Sequence, residues 1–230
     1  MTDDEGSTAA VADSRPASRF GVQPLQQTRE AAATLRRLAG LLLSLEHEHP
    51  AVEAMIAQFG AWEEELASVA PADPRPRFGP NQTADQRVYL DHAYDIGSFN
   101  PSFPEYDFER FDTETASGTV NFPILYEGPP GLVHGGVLAA FFDCVIQHHN
   151  CAAGVAGKTR SLTITYRRPT PLLTTLDFGI TREPTDRGVR STARLLLGGE
   201  VLCTGELDAV ARSVEELAAR NAGNGRQERR

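Results

Sequence analysis

Apolar residues along the chain fall into three patterns. Over residues 25–46, Leu35, Leu38, Leu42 and Leu45 recur at three- and four-residue steps; over 51–69, Val52, Met55, Ile56, Phe59, Trp62, Leu66 and Val69 do the same. That spacing predicts two amphipathic helices. Pro50 falls at the N-terminal edge of the second, where proline is tolerated. The two read as a helical hairpin whose apolar stripe must be buried against something else. Residues 134–153 (HGGVLAAFFDCVIQHHNCAA) hold no proline and are apolar on nearly every side, which predicts a buried helix of about 20 residues.

After Gly157 the period changes to two. Leu162, Ile164 and Tyr166 alternate with Thr163, Thr165 and Arg167, and the run ends at Pro169-Thr170-Pro171. Further strands are predicted over 174–183, 188–197 and 200–210, with turn signals at Pro184–Gly188 and Gly198-Gly199. Two short strands, Phe108–Thr113 and Gly118–Phe122, precede the buried helix. One buried helix followed by four consecutive strands predicts an α+β fold, an antiparallel sheet wrapped around one long helix. A parallel α/β fold is disfavoured, because no second helix separates the later strands.

Composition sets boundaries within this outline. Residues 1–24 lack periodicity and are predicted to be a disordered tail, and residues 213–230 to be a short helix followed by a disordered tail. Residues 71–82 (PADPRPRFGPNQ) read as a linker between the hairpin extension at 25–70 and a domain at 83–212. The acidic N-terminus has no apolar core of a secretory signal, and no run approaches the roughly 18 apolar residues of a membrane span. Three cysteines, Cys144, Cys151 and Cys203, make no complete disulfide framework, and read as free thiols in a reducing cytoplasm.

The formal net charge of −9 argues against non-specific nucleic-acid binding. It is unevenly spread. Residues 1–157 hold 22 acidic and 9 basic groups, whereas 158–230 hold 9 and 13. Lys158, Arg160, Arg167 and Arg168 therefore offer a basic region suited to an anionic small molecule.

Chemistry concentrates at the buried helix. His134-Gly135-Gly136 opens it, and unsatisfied N–H groups at a helix start bind developing negative charge. Asp143 stands nine residues after His134 in an otherwise apolar segment, where a carboxylate is costly to bury unless hydrogen-bonded. An oxyanion site plus a carboxylate suits hydrolysis of an activated acyl group. Nine helical residues rise about 13 Å, too far for both groups of one chain to reach one carbonyl. The spacing predicts a composite site in which a two-fold partner supplies its own Asp143.

YEGPPGLVHGGVLAAFFD (126–143), followed by Thr159-Arg160-Ser161-Leu162-Thr163-Ile164-Thr165-Tyr166-Arg167-Arg168-Pro169, closely resembles the hot-dog-fold acyl-CoA thioesterases of the PaaI/THEM4-like group. The resemblance spans roughly residues 95–210. It implies a hot-dog fold, a homodimer or a tetramer of such dimers, an acyl-CoA substrate, and no cofactor or metal. It further implies that the Gly135 N–H is the oxyanion donor, that Asp143 is general base or nucleophile, and that Thr159 holds the attacking water. Gly136, Phe142, Arg160, Arg167 and Arg168 are the expected substrate contacts. Gly128 stands where some PaaI-like members carry asparagine. Gln147-His148-His149-Asn150 replace the small residues that relatives often have after the aspartate, and are expected to narrow the acyl pocket or change its polarity.

Plainer readings stand beside these. Asp143 could be a structural acid, His134 a capping group rather than a proton carrier, and Thr159 a packing residue. His148-His149 and His47-Glu48-His49 invite a metal, but adjacent helical histidines diverge by about 100° and no third ligand is suitably spaced. Cys144 reads as a small core residue. A hydratase or dehydratase on the same fold, and a non-catalytic acyl-CoA-binding module, are the rival functions.

Overall fold

The computed structural model describes residues 25–70, 95–152, 157–186 and 188–211. The expected tails at 1–24 and 213–230 and the linker at 71–82 lie outside the described residues. Three helices are formed, α1 (Gln26–Leu43), α2 (Pro50–Val69) and α3 (Gly135–Ala152). Six strands accompany them: β1 (Tyr106–Phe111), β2 (Thr115–Asn121), β3 (Gly157–Tyr166), β4 (Thr175–Thr185), β5 (Gly188–Leu197) and β6 (Glu200–Ala211).

The strands make one sheet in the order β1-β2-β4-β5-β6-β3, antiparallel at every pairing. Its connections follow from local chemistry. Asp112 turns β1 into β2 by accepting hydrogen bonds from the Glu114 and Thr115 N–H groups. The β5–β6 hairpin closes through Gly198 and Gly199, with φ of 58° and 84°, the left-handed pair that a tight two-residue turn demands. The chain leaves β2, forms α3 across one face of the sheet, and returns as β3 on the opposite edge from β1. β4, β5 and β6 then fill the interior as a meander.

The core lies between α3 and that face. Phe141, Phe142, Val145 and Ile146 of α3 are fully buried against Leu176, Phe178 and their neighbours. Gly205 on β6 lies directly under the helix, where a Cβ would come within 2.7 Å of the Phe142 ring. The bare backbone there allows helix and sheet to approach closely.

The two N-terminal helices depart from expectation. α1 rests on the domain through Ala32 and Arg36, its only buried residues. Arg36 donates to the Gly97 carbonyl at 2.6 Å and pairs with Glu105 at 2.8 Å. α2 buries none of its residues, and Ile56, Phe59, Trp62, Leu66 and Val69 stay exposed. The periodicity identified amphipathic helices correctly. Burial of the stripe does not follow from it, because among the described residues no element covers α2.

Candidate active site

The start of α3 is shaped by a tight loop. Glu127 bridges to Val133, the Gly128 N–H donates to the Leu132 carbonyl, and the His134 N–H to the Tyr126 carbonyl. A Cβ at Gly128 would lie 2.7 Å from the His134 Cα. Glycine fits here because the loop folds directly onto the residue that caps the helix.

His134 caps with both backbone and ring. Its carbonyl accepts from the Val137 and Leu138 N–H groups, and Nδ1 accepts from the Gly136 N–H at 3.0 Å. Of the four amides in the first turn these bonds use three. The Gly135 N–H has no partner among the described residues and is the amide left to meet a ligand. Gly136, expected to contact substrate, has its N–H committed to His134. The Gly135 carbonyl in turn accepts from the Tyr166 hydroxyl at 2.8 Å, pinning the helix start to the end of β3.

Asp143 lies eight residues further along the same unbroken helix, about 12 Å at 1.5 Å per residue. It is half-buried rather than enclosed, because its side of α3 faces the edge strand β3. Asp143 Oδ1 accepts from the Thr159 hydroxyl at 2.6 Å. The Gln147 amide, one helical turn beyond Asp143, donates to the same Thr159 oxygen at 2.8 Å.

Thr159 reaches α3 because β3 is irregular. Opposite β6, Thr159 pairs with Ala209 and Ser161 with Asp208, which leaves Arg160 as an extra residue. In a regular strand Thr159 would share a face with Ser161, Thr163 and Thr165, opposite Leu162, Ile164 and Tyr166. The bulge reverses that parity. Thr159 therefore joins the face that carries Tyr166, and both ends of β3 touch α3.

The other expected site residues are more dispersed. Phe142 is a core residue with no exposure. Arg160 lies at the Asp143 end and pairs with Asp208 at 3.4 Å. Arg167 and Arg168 lie at the Gly135 end, where Arg168 pairs with Glu200 at 2.6 Å and the Arg167 guanidinium has a 3.5 Å contact with the Thr204 hydroxyl. Of the polar residues after Asp143, Gln147 bonds to Thr159. His148 Nδ1 lies 3.0 Å from the Tyr106 hydroxyl. His149 is buried, with Nε2 donating to the Asp112 carbonyl, and burial holds its ring below the usual histidine range. Asn150 accepts from Ser191.

Among the described residues no group of three potential ligands stands together to hold a metal, and His49 caps α2. Burial pushes the Cys144 thiol up to about 12, with the adjacent Asp143 carboxylate adding to the shift. Cys144 is thus a protonated thiol and no nucleophile.

Gln147 was expected to alter the acyl pocket, not to bond Thr159, and Tyr166 was not among the expected site residues. Both carry a signal: Gln147 sits four residues after Asp143, on the same helical face, and Tyr166 shares the inward parity of Leu162 and Ile164.

No family model matches the chain. Solved structures do match it. A thioesterase superfamily protein is 25% identical with a TM-score of 0.61, over 80% of this chain and 95% of its own. A hypothetical thioesterase from Streptococcus pneumoniae with coenzyme A is 17% identical (TM-score 0.45; 47% of this chain and 90% of its own). A Streptococcus mutans protein bound to acetyl-CoA is 14% identical (TM-score 0.46; 58% and 98%). The six-stranded antiparallel sheet with one helix packed against it is the hot-dog α+β fold of the thioesterase superfamily.

Proposed function

We propose that this protein is an acyl-CoA thioesterase that hydrolyses its substrate to free acid and coenzyme A. One observation carries the reading: an unpartnered helix-start amide at Gly135 and the hydrogen-bonded Asp143–Thr159 pair lie along the same edge of the sheet. The amide, aided by the helix dipole, receives the charge that develops on the thioester oxygen. Asp143 removes a proton from water as the water oxygen bonds to the carbonyl carbon. Collapse of the tetrahedral intermediate breaks the carbon–sulfur bond, and the proton on Asp143 passes to the departing thiolate. A thioester is already activated, so this chemistry requires neither cofactor nor metal.

The 12 Å between Gly135 and Asp143 of one chain supports a composite site in a homodimer. β3 is a ten-residue strand at the free edge of the sheet, a natural template for pairing with another chain. Antiparallel pairing of two β3 strands would bring the Gly135–Tyr166 end of one chain beside the Asp143–Thr159 end of its partner. The same exchange would gather Arg160 with the partner subunit's arginines. Arg167, the least committed of the three, is suited to the phosphates of coenzyme A. Three cysteines, too few for a disulfide framework, support a reducing, cytoplasmic setting.

A panel of acyl-CoA thioesters assayed for thiol release with wild type and Asp143→Asn tests the assignment. The variant should lose at least about a hundredfold in kcat, the scale of a general base. Equal activity across the panel would overturn it, and enoyl-CoA hydration without thiol release would favour the hydratase instead.

A further inference from the structure

Resting on that reading, we infer that Gln147 is a positioning residue: it fixes the direction of the Thr159–Asp143 hydrogen bond so that Thr159 meets the attacking water as an acceptor. Gln147 is 4% exposed and lies between the core and Thr159. A threonine hydroxyl has one proton and two lone pairs. Thr159 donates its proton to Asp143 Oδ1 at 2.6 Å, as a carboxylate acting as general base can only accept. The atom of Gln147 at 2.8 Å from the same oxygen must then be a donor, which fixes the amide with its NH₂ toward Thr159.

Donor and acceptor counts then determine what the site offers. Gln147 fills one Thr159 lone pair and the proton is engaged, so one lone pair remains. Asp143 Oδ2 likewise keeps its acceptor capacity. A water that donates one hydrogen to Asp143 Oδ2 and the other to Thr159 turns its own lone pair outward, toward a carbonyl carbon. Without the amide the carboxylate alone holds that proton against the competing water, and whenever the hydroxyl turns to the water it aims a hydrogen rather than a lone pair at the substrate. Packing does not account for the residue. Its Oε1 is buried without a partner, a cost that leucine or methionine would avoid.

Gln147→Leu and the isosteric Gln147→Glu, compared with wild type and Asp143→Asn in the same thioester assay, test the inference. Gln147→Leu should lower kcat by about tenfold or more, with KM changed less than about twofold. A glutamate at this position donates only when protonated, so the ratio of Gln147→Glu to wild-type kcat should rise as pH falls from about 8 to about 5. A purely structural role would give a ratio independent of pH. If Gln147→Leu fails to fold, the pH profile of Gln147→Glu decides. Wild-type kcat in Gln147→Leu, or a flat ratio for Gln147→Glu, with Asp143→Asn inactive, would overturn the role of Gln147 alone. Full activity in Asp143→Asn would instead overturn the reading of the site.

Discussion

Single residues decide whether the edge of this sheet can do chemistry. Thr159 faces α3 because Arg160 is one residue too many for the ladder with β6. Deleting Arg160 restores regular alternation and turns Thr159 away from Asp143. We expect the deletion to cost at least about tenfold in kcat. Thermal stability should change little, because the Arg160–Asp208 pair is exposed and such pairs contribute little. Steady-state kinetics and a melting curve on the purified deletion check both. His134, Gly135 and Asp143 were legible in the sequence, since glycines at a helix start and an acid in an apolar run are local signals. The bulge was not. It depends on the pairing register with a strand some fifty residues away, and alternation read along β3 alone puts Thr159 on the wrong face.

Elements show a similar division. α3 and the β4–β6 meander were readable with boundaries within about two residues, because period and turn chemistry agree along them. The seating of α1 was not, because it depends on a buried arginine where the pattern highlights leucines. Arg36 bonds the Gly97 and Asn100 carbonyls and Glu105. Arg36→Met removes these bonds from a buried site, at a cost of about 1–3 kcal/mol. Faster amide exchange confined to residues 26–43 is the expected result.

The turn that receives Arg36 is itself built on Asp95, which accepts from the Gly97 and Tyr106 N–H groups. Burial outweighs those bonds and raises the Asp95 carboxyl from 3.8 to about 7; Glu105 adds to the rise and Arg36 opposes it. The folded state therefore binds this proton more tightly than the unfolded chain. The resulting stability is fully present below about pH 4 and is lost as pH rises through about 7. Asp95→Asn, which keeps a carbonyl acceptor, should flatten that slope in denaturation curves recorded between pH 4 and 8.

At the scale of the whole molecule, the chain is asymmetric in charge, and the proposed site needs a second chain. The acidic excess lies before residue 158 and the basic excess after it, on the half that forms β3 to β6. The overall charge of −9 therefore does not oppose an anionic thioester. One chain holds an amide at Gly135 and a carboxylate at Asp143 about 12 Å apart along α3, and the β3 residues that bond to them, Tyr166 and Thr159, lie on an edge strand of the sheet.

Mixing two singly inactive chains tests this central claim most directly. Gly135→Pro removes the amide hydrogen at a helix position that accepts proline, and adds a ring to which the Tyr166 side chain must yield slightly. Asp143→Ala removes the carboxylate. Each variant alone should be inactive. Co-refolded in equal amounts they should recover about a quarter of wild-type thioester hydrolysis, since half the dimers are mixed and each mixed dimer has one intact site. No recovery in mixtures shown to contain mixed dimers would contradict a site shared between two chains.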